Sequence, residues 1–101
     1  MHSGSELGIT LAAMLHTAAS LPNLTYDVDA HYHHLLADIV VGGKMKYEDG
    51  SIAVPTGPGL GVELDEDRML LYEGLFRKEG DYYARLHEDT RRPDWFPINP
   101  G

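Results

Sequence analysis

Val54–Asp67 reads VPTGPGLGVELDED and sets Gly57, Gly59 and Gly61 just ahead of a helix start. Spacing of this kind invites a phosphate-loop reading. A Walker loop, however, needs Gly-x-x-x-x-Gly-Lys-[Ser/Thr], in which the lysine meets the phosphates and the hydroxyl meets the metal. Here Gly61 is followed by Val62 and Glu63, with neither lysine nor hydroxyl. A dinucleotide loop aims free amides at a pyrophosphate from Gly-x-G-x-x-Gly. The nearest side chains here are Glu63, Asp65, Glu66 and Asp67, which repel an anion. The stretch therefore reads as a rigid turn between a strand and a helix.

The remaining sequence narrows the class. At 101 residues the chain is sized for one small core. Hydrophobic residues make up 43% and charged residues 24%, which argues against disorder. The net charge of −8 and the absence of a dense basic patch disfavour nucleic acid as a partner. With no cysteine, disulfides and thiol nucleophiles are excluded, and a cytoplasmic location is expected. The longest apolar tract, Leu7 to Leu21, is too short for a bilayer, which takes ~20 residues. No Lys or Arg precedes it, so it is not read as a signal peptide, and no membrane partner is expected.

Ser3-Gly4-Ser5-Glu6 has capping-box spacing, and Leu7, Leu11, Met14, Leu15 and Ala18 follow helical periodicity, so a helix is predicted to about Ser20. Leu24 to Asp29 alternates and predicts a strand. Gly42-Gly43 marks a break, and Lys44 to Val54 a hairpin turning at Asp49-Gly50. Asp65 is a suitable N-cap for a helix over Glu66 to Lys78, with acids in its first turn and Arg77-Lys78 in its last. The residues after Gly80 read as an extended tail. In AHYHH, Ala30 to His34, an extended backbone would place Asp29, His31 and His33 on one face, a possible Zn²⁺ set. His16, inside the apolar helix, reads as a satisfied packing residue. One nearly all-apolar helix, one strand, a hairpin and a second helix supply each other with little surface, so the chain reads as the end of something larger.

His2–Pro22 (HSGSELGITLAAMLHTAASLP), Asp27–His34 (DVDAHYHH) and Asp49–Asp67 (DGSIAVPTGPGLGVELDED) together resemble, in order and spacing, the C-terminal portion of the mandelate racemase/muconate lactonizing enzyme family of the enolase superfamily. Within that family they are most similar to the glucarate dehydratase-like acid-sugar dehydratases. The resemblance covers about Met1 to Lys78, and PGLGVELD is its most specific part. It implies an α/β fold, the C-terminal piece of a modified (β/α)7β TIM-type barrel. Residues 1–41 would be the end of the barrel, with helix seven and strand eight. Residues 42–101 would be a hairpin, helix and tail returning to an N-terminal capping domain. A closed barrel takes about 200 residues or more, so the barrel here is incomplete.

The resemblance also implies chemistry: abstraction of the proton next to a carboxylate, then loss of water from an aldarate or aldonate. Mg²⁺ stabilises the enediolate, and a His or Lys base takes the proton. His2 matches the family's strand-seven base, with the following helix N-terminus favouring its neutral form. Asp29 matches an acidic residue at the end of strand eight. Ser3 and Arg85 match substrate contacts. The family's Mg²⁺ ligands, second base and the aspartate that orients the histidine lie on strands not found in this chain. It is therefore expected to be inactive alone and to depend on the missing barrel and capping domain, in a family that is often homo-oligomeric. The alternative is a small non-enzymatic metal-binding or interaction module using Asp29, His31 and His33.

Overall fold

A computed structural model describes residues 1, 2, 4 and 6–79. In chain order these form helix α1 (Gly8–Ser20), a 3-10 turn (Tyr32–His34), strands β1 (Tyr47–Glu48) and β2 (Ser51–Ile52), and helix α2 (Glu66–Glu79). They divide between two units, one ending at Met69 and the other starting at Leu70. The core belongs to the first unit.

Helix α1 forms on the apolar spacing but not on the expected cap. Its N-cap is Leu7, which has no capping side chain, and Ser3 lies outside the described residues. Glu6 lies ahead of the helix start, and its carboxylate accepts the N–H of Tyr32 at 3.1 Å. The Gly8 N–H, at the head of the helix, is taken by Asp38, thirty residues away, at 3.0 Å. Burial explains the exchange. Glu6 and Asp38 are 6% and 1% exposed, and the positive end of a helix offers buried carboxylates both a donor and a favourable field.

Leu11, Leu15 and Tyr32 form the core, with Ala30, Leu35, Met45, Ile52 and Val54 packed around them. Tyr32 is fully buried. Its hydroxyl donates to Asp38 and accepts the N–H of Met45 at 2.8 Å. Burial first, and then the Asp38 carboxylate, push the Tyr32 hydroxyl up to about 12. The folded state thus favours the neutral phenol. That contribution is whole below pH 10, where unfolded tyrosine keeps its proton, and is lost as pH rises toward 12.

The segment Leu24–Asp29 does not form the expected strand. Among the described residues it bridges only at Asp29, in parallel with His2, where the Asp29 N–H donates to the Met1 carbonyl at 3.2 Å. A parallel strand needs neighbours to build a ladder, and the two residues Met1 and His2 supply one rung. The hairpin is as expected at its turn but short: Tyr47 pairs with Ile52 and Glu48 with Ser51. Asp49 and Gly50 both take positive φ, 50° and 75°, the backbone of a type I′ turn.

The glycine loop is a structural turn. The Gly61 N–H donates to the Pro58 carbonyl at 3.0 Å, and Gly59 and Gly61 have φ of 62° and 78°. Beyond it Val40 bridges Leu64 in antiparallel fashion. His16, predicted to be a satisfied helix residue, holds this loop to α1: its Nε2 lies 2.8 Å from the Leu60 carbonyl and donates to it. The two glycines differ in their surroundings. A Cβ on Gly61 would lie 2.5 Å from Pro55 Cβ and 2.9 Å from Pro55 C, whereas one on Gly59 meets nothing within 4 Å. Gly59→Val should therefore cost only backbone strain of ~1–3 kcal/mol, and Gly61→Val that strain plus a clash. Thermal melts should rank Gly61→Val clearly below Gly59→Val; equal melts would refute the clash. Nucleotide or inorganic phosphate added to the unsubstituted chain should leave the melt unchanged.

Helix α2 starts where the sequence places it. Asp65 Oδ1 accepts the Arg68 N–H at 3.1 Å, Glu66 and Asp67 lie in the first turn, and Arg77 and Lys78 in the last. Leu70, Leu71, Leu75 and Phe76 along it are exposed.

Candidate active site

The parallel bridge between their segments brings His2 and Asp29 face to face. The Nδ1 of His2 lies 2.9 Å from both carboxylate oxygens of Asp29. A carboxylate only accepts, so His2 Nδ1 carries the proton and donates it. The lone pair is then on Nε2, and both side chains are open to solvent, 62% and 69% exposed. For the neutral imidazole, this contact favours the Nδ1-protonated tautomer. Helix α1 does not set it, because its first turn begins at Gly8 and a helix terminus acts only over its first turn.

The hydrogen bond from His2 holds the Asp29 carboxyl below its ordinary 3.8, with the His31 imidazole adding a smaller pull. A lowered carboxyl pKa means that the contact is favourable above pH 3.8 and is lost as pH falls through the lower folded value. In a His2→Ala variant, which has no side-chain donor, the Asp29 midpoint, followed by the carboxyl carbon in NMR, should return toward 3.8. A midpoint that stays low would mean that His2 is not its cause.

His31 stands beside this pair. Its Nδ1 donates to the Gly4 carbonyl at 2.9 Å, and its ring meets that of His2 edge-on at 5.4 Å. The extended AHYHH arrangement is not formed. Tyr32–His34 make a 3-10 turn, because burying the Tyr32 ring turns the backbone. His33 consequently packs against His34 at 4.0 Å and Tyr47 at 6.0 Å. Among the described residues no three His, Asp or Glu side chains gather to hold a metal ion. They therefore do not fit a Zn²⁺ set, nor the Mg²⁺ of the resembled family.

Of the residues expected at the site, the structure joins His2 and Asp29, while Ser3 and Arg85 lie outside the described residues. Glu6, Tyr32 and Asp38, which form buried hydrogen bonds near the site, carry no sequence signal beyond being polar or aromatic. Among the described residues no helix is long and apolar enough to cross a membrane.

The sequence profile of the enolase C-terminal domain-like family matches residues 1–68. A protein of Streptomyces coelicolor named "Probable glucarate dehydratase" is 36% identical over 102 residues, covering 94% of this chain and 23% of that protein. A chloromuconate cycloisomerase of Pseudomonas putida is 36% identical over 64 residues, 63% of this chain and 17% of its own length. Among solved structures, an enolase of Mycobacterium smegmatis complexed with tartrate is 47% identical at a TM-score of 0.74, matching 80% of this chain and 19% of that one. An enolase of Gibberella zeae complexed with magnesium, formate and sulfate is 46% identical at a TM-score of 0.72, over the same shares. The chain thus spans about a fifth of the length of these relatives. With this profile match and the three ordered sequence segments, the chain belongs to the mandelate racemase/muconate lactonizing enzyme family of the enolase superfamily, as a part of its C-terminal, TIM-barrel-like domain.

Proposed function

We propose that this chain supplies the His2 base and its Asp29 partner to an acid-sugar dehydratase, a hydro-lyase acting on an aldarate or aldonate. The observation that carries this reading is the His2–Asp29 contact, which protonates Nδ1 and leaves Nε2 free beside open solvent. His2 Nε2 takes the proton α to the substrate carboxylate, and the Asp29 carboxylate steadies the imidazolium that forms. The electron pair of the broken C–H bond then forms the Cα=Cβ double bond as the C–O bond at the β carbon breaks, and the hydroxyl takes a proton from the His2 imidazolium and leaves as water. Mg²⁺ belongs to the whole enzyme and is held by residues other than those described here. Ser3 and Arg85 are assigned to substrate contacts by the family resemblance.

The similarity to the S. coelicolor protein supports the dehydratase class. In this reading residues 1–41 close the barrel, with helix seven and strand eight, and 42–101 return to the capping domain. The exposed Leu70, Leu71, Leu75 and Phe76 of α2 suit such a covering. The chain alone is inactive.

The test completes the barrel. Residues 1–101 replace the matching C-terminal segment of a dehydratase relative, and the α-proton of an acid sugar is followed in D₂O with Mg²⁺ present. Exchange followed by release of a 2-keto-3-deoxy acid is the expected result. A folded, Mg²⁺-loaded chimera that exchanges no α-proton from any acid sugar would refute the assignment.

A further inference from the structure

We propose that residues 24–29 are a docking edge to which the rest of an enolase-superfamily barrel, supplied as a separate chain, adds parallel strands. This rests on the reading above that residues 1–41 close the barrel. The observation behind it is an unfinished ladder. His2 and Asp29 form a parallel rung, in which the Asp29 N–H donates to the Met1 carbonyl at 3.2 Å. Along a strand, successive residues turn their backbone groups toward opposite edges. Asp27 therefore faces the Met1 side, as Asp29 does, and Val28 faces the other. Among the described residues, the backbone groups of Thr25, Tyr26, Asp27 and Val28 have no backbone partner. The side chains also call for cover: Leu24, Tyr26 and Val28 alternate with Thr25, Asp27 and Asp29, and Tyr26 is 88% exposed.

These features define the partner. The rung is parallel, so an added strand runs in the direction of Met1 to His2 and reaches its neighbour by a crossover, not a tight turn. Both edges of residues 24–29 offer free groups, and closing a sheet into a barrel is what removes both edges. The partner is therefore the remainder of a barrel, and the relatives possess one: this chain matches 23% of the S. coelicolor protein and 19% of the M. smegmatis structure. No covalent link is needed for docking, because the edge is carried by a unit with a core of its own. Leu11, Tyr32 and Asp38 in that unit are 1%, 0% and 1% exposed.

The test co-expresses tagged residues 1–101 with the unmatched remainder of the S. coelicolor relative as a second, untagged chain. The expected result is co-purification of the two, with amide hydrogen exchange at Thr25 to Val28 slowed in the complex. Asp27→Pro and Val28→Pro each delete one edge donor, on opposite sides of the segment. Neither N–H bonds to a carbonyl among the described residues, so each variant alone should melt close to the parent chain. In the complex each lost donor is a lost rung, and the fraction co-purified should fall about tenfold. If one variant does not fold, the other and the exchange measurement still decide. Co-purification untouched by both prolines, with these amides still exchanging fast, would overturn the proposal and place the contact on another surface. Failure to co-purify would overturn it too, even where the covalent chimera folds and turns over. A complex that forms on this edge but exchanges no α-proton upholds the docking and sinks only the base role of His2.

Discussion

His2→Asn in the barrel-completed protein should slow α-proton exchange about 10²–10⁴-fold, the usual cost of removing a positioned base. Asparagine keeps much of the imidazole's shape and can still donate to Asp29, so the local fold should hold. What it lacks is a lone pair able to take a proton at neutral pH. KM should move little, since in this reading metal and carboxylate contacts come from other strands. Melting temperature and substrate-induced stabilisation, measured beside the rate, separate lost chemistry from lost folding. If the His2→Asn protein exchanges the α-proton as fast as its parent, His2 is a structural contact of Asp29 and the site uses a base on another strand.

The features legible from sequence were those whose cause is local. Asp49-Gly50 gives a type I′ turn because both residues tolerate positive φ. Asp65 caps α2 because its carboxylate reaches three residues ahead. Gly61 turns the chain because nothing larger fits beside Pro55. The pairing of His2 with Asp29 is of another kind: its partners are 27 positions apart, and only the family resemblance brought both to notice.

Where sequence reasoning failed, a distant partner outbid a local one. The Ser3-x-x-Glu6 spacing has every mark of a capping box, yet Glu6 turns to Tyr32, 26 residues on. Leu24 to Asp29 has the alternation of a strand, but alternation only prepares a segment for pairing; the ladder requires another chain segment on its edge. Asp38 was passed over altogether. A single aspartate between Ala37 and Ile39 looks like a loop residue, and only burial shows that it organises three donors.

Gly8→Ala, the second large effect, tests that organisation by setting two forces in opposition. Inside a helix, alanine is favoured over glycine by about 1 kcal/mol, so propensity alone predicts a more stable chain. The structure predicts the reverse. A Cβ at Gly8 would stand 2.2 Å from Asp38 Oδ2 and 3.1 Å from Val40 Cγ1, so the carboxylate must withdraw. Its bonds to the Gly8 N–H and the Tyr32 hydroxyl then go together, and each buried group left unpaired costs ~1–3 kcal/mol. The net should be a loss of about 2–4 kcal/mol, which for a chain of this size lowers the melting temperature by roughly 10–20 °C. Gly74→Ala in α2 is the matched control: nothing lies within 4 Å of its Cβ, so propensity acts alone and helix content by circular dichroism should rise. The cycle closes with Asp38→Ala, which removes the clash partner. Gly8→Ala added to Asp38→Ala should then cost nothing further, a coupling that independent sites do not show. If the two losses simply add, the Gly8 Cβ is not meeting the carboxylate, and something other than Asp38 requires glycine at the head of α1.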